Sequence, residues 1–295
     1  MKKIMWLFFA IALLMTSCAR PVANFTIADK SAKTVPADIR FENKSKKAAI
    51  YEWDFGDGKT SSELSPSHQY YKPGKYTITL KAITQKGKTS THSKQIQIDA
   101  PEECLVEMET SMGTMVILLS SATPGHRDNF IKLAEQGFYD GLLFHRVING
   151  FMIQGGDPNS RNAKPNARLG SGGPGYQIPA EFVDSLVHIK GAICAARTNN
   201  PEKKSSGSQF YIVQGTTYSD AQIDQMEKRK GFKYTAKQRE LLKTVGGTPQ
   251  LDREYVVYGH VISGLDVIDK IAQTPTKAGD RPIKDVVIKK VRVIK

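Results

Sequence analysis

The stretch from Phe144 to Asp157, FHRVINGFMIQGGD, holds one charged donor, Arg146, in an otherwise apolar setting. An arginine buried there without a partner would be costly, so its presence points to a task. The bland reading is a surface arginine on an amphipathic strand. That reading leaves the apolar pair Phe151 and Met152 unexplained. In a dry pocket a guanidinium offers charged hydrogen-bond donation, and low water content strengthens it. Residues for other chemistries do not assemble. Cys104 and Cys194 are joined by no histidine cluster that would make a metal site, and they read as two buried free thiols. The run Gly170-Ser171-Gly172-Gly173 lacks the lysine and the following helix of a phosphate-binding loop. Asp54 and Asp57 lie in one turn and fall short of the six to eight oxygens calcium takes. No metal and no cofactor are expected.

The elements that must position Arg146 can be read around it. Leu105 to Leu119 predicts two strands around the turn Thr110-Ser111-Met112-Gly113. Thr123 followed by Pro124 marks a helix start, Phe130, Leu133 and Ala134 share one face, and Gly137 closes it. Residues 157–179, rich in Asn, Gly, Pro and Ser, read as a long loop. Within 216–248, Ser219-x-x-Gln222 and Thr235-x-x-Gln238 are capping boxes. Each opens a helical stretch ending near a glycine, Gly231 or Gly246, so a helical hairpin is expected there.

An earlier region has a different rhythm. Ile39 and Phe41, then Tyr51, Trp53 and Phe55, then Tyr76, Ile78, Leu80 and Ala82, then Ile96 and Ile98 alternate with polar residues between turn-formers. This predicts an antiparallel sandwich of seven short strands with Trp53 and Phe55 in its core. The polar stretch 90–103, ending in Ala100-Pro101-Glu102-Glu103, reads as a linker. The expected division is a leader at 1–17, a sandwich at 18–100 and a larger domain at 101–295. Of the 295 residues 40% are hydrophobic and 24% charged, which excludes a disordered chain. The net charge of +13 is spread without a long basic block, so nucleic-acid binding is not expected.

Three resemblances follow from these residues. Lys2, Lys3, the apolar run IMWLFFAIALL and Met15-Thr16-Ser17-Cys18 resemble the signal and lipobox of bacterial lipoproteins, with Met15 where Leu is usual. The run is too short to span a bilayer and suits a signal peptide. The resemblance implies lipidation at Cys18, which acyl chains would make a stable anchor. Ala19, where an Asp would favour inner-membrane retention, implies the outer membrane, facing the periplasm. Next, WDFGDG at 53–58 with His68, Tyr70, Pro73, Gly74, Tyr76, Ile78 and Leu80 resembles the polycystic-kidney-disease (PKD) domain, an immunoglobulin-like β-sandwich.

Finally, FHRVIxGFMIQGGD, then SQFYI at 208–212, then LDxxYVVYGxV from Leu251 resemble the cyclophilin-type peptidyl-prolyl cis-trans isomerases. The resemblance implies a mostly β protein overall, with an eight-stranded antiparallel barrel capped by two helices and carrying 216–248 as a helical insertion. It implies Arg146 as the catalytic residue and Gln154 as its orienting partner. Phe151, Met152, Tyr211, Leu251 and Tyr255 would line a proline pocket, Ala196 and Gln209 would bind peptide backbone, and Phe210 would be core. Proline-containing polypeptides are the implied partners, and a monomer is expected.

The implied reaction suits these residues. Prolyl isomerisation breaks no covalent bond and needs no nucleophile, acid or metal. Amide resonance opposes it with a barrier of about 18–20 kcal/mol. A guanidinium donating to the imide nitrogen favours the resonance-free transition state. Two function classes stand: an isomerase for exported proteins, or a non-catalytic proline-peptide-binding chaperone or adhesive lipoprotein. The intact set of Arg146, Phe151 and Gln154 favours the first. Three departures are notable: Gln250 where many eukaryotic members have Trp, Tyr255 where they have His, and Arg197 where they have Asn. Activity should survive these, while cyclosporin inhibition should be weak.

Overall fold

The computed structural model describes residues 20–28, 33–100 and 104–294. The leader, its Cys18 and the linker residues Pro101, Glu102 and Glu103 lie outside the described residues. The chain divides into two compact units, the first holding most of the residues up to Ile98 and the second holding Asp99 onward together with Thr34–Pro36 and Tyr71–Pro73.

Alternating apolar residues build the first unit as strands β1 (Phe25–Ile27), β2 (Ala37–Asn43), β3 (Ile50–Asp54), β4 (Thr60–Ser61), β5 (Ser67–Tyr70), β6 (Gly74–Ile83) and β7 (Thr89–Ile98). They form two antiparallel sheets, ordered β1-β2-β5 and β4-β3-β6-β7. Trp53 and Phe55 are buried in the core, as expected. The Phe25 ring meets Trp53 edge-on at 5.1 Å, and the Trp53 indole N–H donates to the Glu63 carbonyl at 2.9 Å, so its one polar atom is satisfied. The turn after β3 has Gly56 at φ +79° with its N–H on Asp54 Oδ1, while Asp57 Oδ1 accepts from the Lys59 N–H. The linker reading of residues 90–103 is corrected. Residues 89–98 pair with β6 along their whole length. This segment looks polar because β7 is an edge strand with alternate side chains exposed to solvent.

The second unit contains β8 (Cys104–Thr110), β9 (Gly113–Leu119), α1 (Pro124–Glu135), β10 (Arg146–Ile148), β11 (Met152–Gly155), β12 (Gln177–Ile178), β13 (Ala192–Ala195), β14 (Ser205–Ser206), β15 (Phe210–Val213), α2 (Asp220–Lys230), α3 (Ala236–Thr244), β16 (Val257–Ser263), α4 (Leu265–Ala272) and β17 (Ile288–Ile294). Eight of its strands make one sheet, ordered β10-β11-β15-β13-β16-β9-β8-β17. The sheet curls closed where the segment before β10 meets the start of β17: Phe144 N–H donates to Val286 O, and Ile288 N–H to Leu142 O. Strand alternation sorts the side chains. Ile153, Ile193, Ala195, Phe210 and Ile212 point into the barrel core with Phe130, Tyr139 and Phe144, while Met152, Cys194, Tyr211, Val213 and Val257 form a second apolar cluster on the outer face. Phe210 is therefore core and Tyr211 is not.

Helix α1 begins at Thr123 and Pro124 as read, but the Thr123 side chain makes no capping bond. Glu181 caps the helix instead, accepting from the N–H groups of Gly125 and His126 at 3.0 Å each. A carboxylate there also suits the positive end of the helix dipole. Helices α2 and α3 carry the two capping boxes intact, and Gly231 takes the left-handed C-cap of α2 at φ +72°. Arg239 of α3 locks the hairpin, reaching Asp220, Asp224 and Glu227 of α2 at 2.8–3.1 Å. Cys194 is buried but Cys104 only half-buried, and neither forms a disulfide among the described residues.

Candidate active site

The sheet sets the site out in a row. Arg146 on β10 stands opposite Gln154 on β11, Gln154 opposite Tyr211 on β15, and Tyr211 opposite Cys194 on β13. Residues directly opposite in antiparallel strands share a face and lie about 5 Å apart. The pairing thus carries a guanidinium, an amide, a phenol and a thiol across four strands on the outer face. Met152 stands opposite Val213 beside this row. The β10–β11 turn, with Gly150 at φ +77°, presents Phe151, whose carbonyl is held by the N–H groups of Gln214 and Gly215.

Arg146, Phe151, Met152, Gln154 and Tyr211 border a cavity of about 380 Å³ that Ala196, Leu251 and Tyr255 also line. Tyr255 is fixed by two partners. Its ring meets Tyr211 edge-on at 5.9 Å, and the Arg197 guanidinium lies over its face at 4.7 Å. Arg197 and Tyr255, two of the noted departures, therefore stack on one another. Of the nine barrel residues expected at the site, eight line the cavity. Gln209 stands just behind: its Oε1 accepts from Gln154 Nε2 at 3.1 Å, and its Nε2 donates to the Gly172 carbonyl at 2.7 Å. That second bond ties the loop 157–179 to the site.

Arg146 departs from the expectation in two ways. It is not buried; its side chain keeps 44% of its exposure. Its orienting partner is Asp280, whose Oδ2 accepts from Arg146 Nε at 3.3 Å, whereas the Gln154 amide turns to Gln209. The carbonyl of Asp280 also accepts from the Val147 N–H, so the turn carrying it is stitched to β10. With Nε engaged, the terminal amino groups of Arg146 have no hydrogen-bond partner among the described residues, and Arg146 borders the cavity. Reasoning from sequence missed Asp280 because it lies 134 residues away, in a turn after α4 with no local pattern of its own.

Burial sets the protonation of several groups in and behind the cavity wall. Burial pushes the Tyr211 hydroxyl and the Cys194 thiol well above their ordinary ranges, so both stay protonated. Cys194 is thereby an inert thiol. Burial lowers the pKa of His145, next to Arg146, against the pull of Asp157, and favours the neutral ring. Among the described residues no group of three His, Cys, Asp or Glu side chains could hold a metal ion.

Both units are similar to known proteins. Residues 105–293 match the family model described as cyclophilin type peptidyl-prolyl cis-trans isomerase/CLD, and residues 18–98 match that of the PKD domain. A Staphylococcus haemolyticus protein named for peptidyl-prolyl cis-trans isomerase activity is 35% identical over 205 residues, covering 68% of this chain and 95% of the relative. One from Staphylococcus saprophyticus is 34% identical over 191 residues, covering 63% and 90%. Among solved structures, a cyclophilin type isomerase of Cryptosporidium parvum is 25% identical, covering 65% of this chain and 98% of its own, with a TM-score of 0.49.

Proposed function

We propose that this chain, which belongs to the cyclophilin-type peptidyl-prolyl cis-trans isomerases, turns proline bonds of exported polypeptides at the bacterial cell envelope. The observation that carries the site assignment is the cavity itself. It sets the free amino groups of Arg146 against an apolar wall of Phe151, Met152, Tyr211 and Leu251. A proline ring suits that wall. The guanidinium then donates to the imide nitrogen as it pyramidalises, withdrawing the lone pair from resonance with the carbonyl. A rate gain of about 10⁵ needs roughly 7 kcal/mol off the barrier. A charged hydrogen bond, strengthened as the bound peptide excludes water, together with fixed orientation, is of that order. Gln154 and Gln209 act as one amide pair at the edge of the row, with Ala196 beside them, where the peptide backbone preceding proline would lie. Tyr255 closes the pocket with Leu251.

The envelope location rests on the sequence at the N-terminus: two lysines, eleven apolar residues and small residues before Cys18. The isomerase reading is tested by the relaxation of a cis-proline tetrapeptide on the full chain, which should be accelerated in proportion to enzyme. The anchor is tested by radiolabelled palmitate, which should label the protein and fail to label Cys18→Ala. Absent labelling, or labelling that survives the substitution, removes the anchor without touching the isomerase.

A further inference from the structure

A buried chain of polar groups lies behind the cavity wall, and the reaction as described does not use it. The Tyr211 hydroxyl is 2.9 Å from His188 Nε2. His188 Nδ1 is 2.6 Å from Asp252 Oδ1, which also accepts the His188 backbone N–H at 2.8 Å. The other oxygen, Asp252 Oδ2, accepts from the Tyr234 hydroxyl. All four residues are buried, with His188 wholly inaccessible. Tyr234 lies between α2 and α3, so the chain runs from the helical insertion to the proline cavity.

Asp252 accepts from the His188 backbone N–H and from the Tyr234 hydroxyl, and its Oδ1 is bonded to His188 Nδ1. His188 Nε2 in turn is bonded to the Tyr211 hydroxyl, so the Tyr211 ring is held in one rotation by a partner that is itself held. A buried carboxylate is tolerated when its oxygens are well supplied with donors, and the three bonds to Asp252 meet that need. The far end is equally fixed. The Tyr234 backbone N–H donates to Glu227 of α2 at 3.0 Å, and the same carboxylate oxygen accepts from Arg239 of α3 at 3.0 Å. Lys230 of α2 donates to the Asp252 carbonyl at 2.9 Å.

We propose that Tyr234, Asp252 and His188 are positioning residues through which the insertion 216–248 sets the Tyr211 face of the proline cavity. This rests on the assignment of that cavity as the isomerase site. The insertion is then a support for substrate binding built behind the pocket, acting without touching the peptide.

A double-mutant cycle on the full chain tests it, using Tyr234→Phe, Tyr211→Phe and both, with kcat and KM measured on one proline tetrapeptide. Tyr234→Phe removes a single hydroxyl, and retained circular dichroism and melting cooperativity show that the fold persists. The expected result is about a fivefold fall in kcat/KM for Tyr234→Phe, carried mainly by KM, and almost no further fall in the Tyr211→Phe background. Equal losses in both backgrounds, or no loss in the first, would overturn the relay. An inactive native chain is a separate failure: it would remove the isomerase reading and the relay's purpose with it.

Discussion

Asp280→Asn is the most informative small change at the site. Asp280 has a left-handed backbone, φ +63°, which asparagine tolerates and alanine does not. The substitution keeps the turn and its carbonyl bond to Val147 while deleting the charge beside Arg146. The two side chains are 44% and 42% exposed and meet at 3.3 Å, and a pair that open is worth about 0.2–1 kcal/mol. Its use is to narrow the rotamers of a side chain carrying about 2 kcal/mol of rotamer entropy. Losing it should raise the barrier by about 0.5–1 kcal/mol, a fall of about two- to fivefold in kcat/KM. The assay is cis-to-trans relaxation of a proline tetrapeptide at low salt and at about 1 M salt, where the screening length falls to about 3 Å. High salt should bring the native enzyme toward the variant and leave the variant nearly unchanged. Unchanged or raised activity in Asp280→Asn would refute the positioning argument. A loss above about tenfold would refute the magnitude assigned to an exposed pair.

Burial pushes His260 down to about 4, below its ordinary 6.5. The unfolded chain therefore binds that proton first, and stability present above pH 6.5 is lost as pH falls toward 4. His260→Leu should recover about 3 kcal/mol of the acid destabilisation at pH 4 and little at pH 7, read from urea melts at both. Gly156 sits at φ +87°, and a Cβ added there would stand only 2.2 Å from the Ser208 carbonyl oxygen. Gly156→Ala should cost on the order of 2–4 kcal/mol in the same melts, and a loss under about 0.5 kcal/mol would contradict that. Gln250 accepts a 3.3 Å hydrogen bond from Tyr218 of the insertion and does not line the cavity. Cyclosporin should accordingly inhibit far more weakly than it does a tryptophan-bearing cyclophilin, in parallel titrations.

Short-range rules govern what is legible in the chain. The capping boxes at Ser219 and Thr235 lie within one helical turn, and both form. Strand alternation separates Phe210 from Tyr211 whatever else surrounds them. Long-range partners are what the chain conceals. Glu181 caps α1 from 55 residues away, and Asp280 meets Arg146 across 134. The chain His188–Asp252–Tyr234 draws on three separate segments, none with a local signature. The edge strand β7 passes for a linker for a related reason: its polarity reflects which side of a sheet faces water, and only pairing with β6 shows that.

The central claim is that the Arg146 guanidinium drives the isomerisation. The direct measurement is kcat/KM of the full chain and of Arg146→Ala on the same proline tetrapeptide, with melting curves to confirm that both are folded. Loss of one charged donor at a developing lone pair predicts a fall of roughly 10²–10³. Activity within about threefold of the native chain would contradict the account.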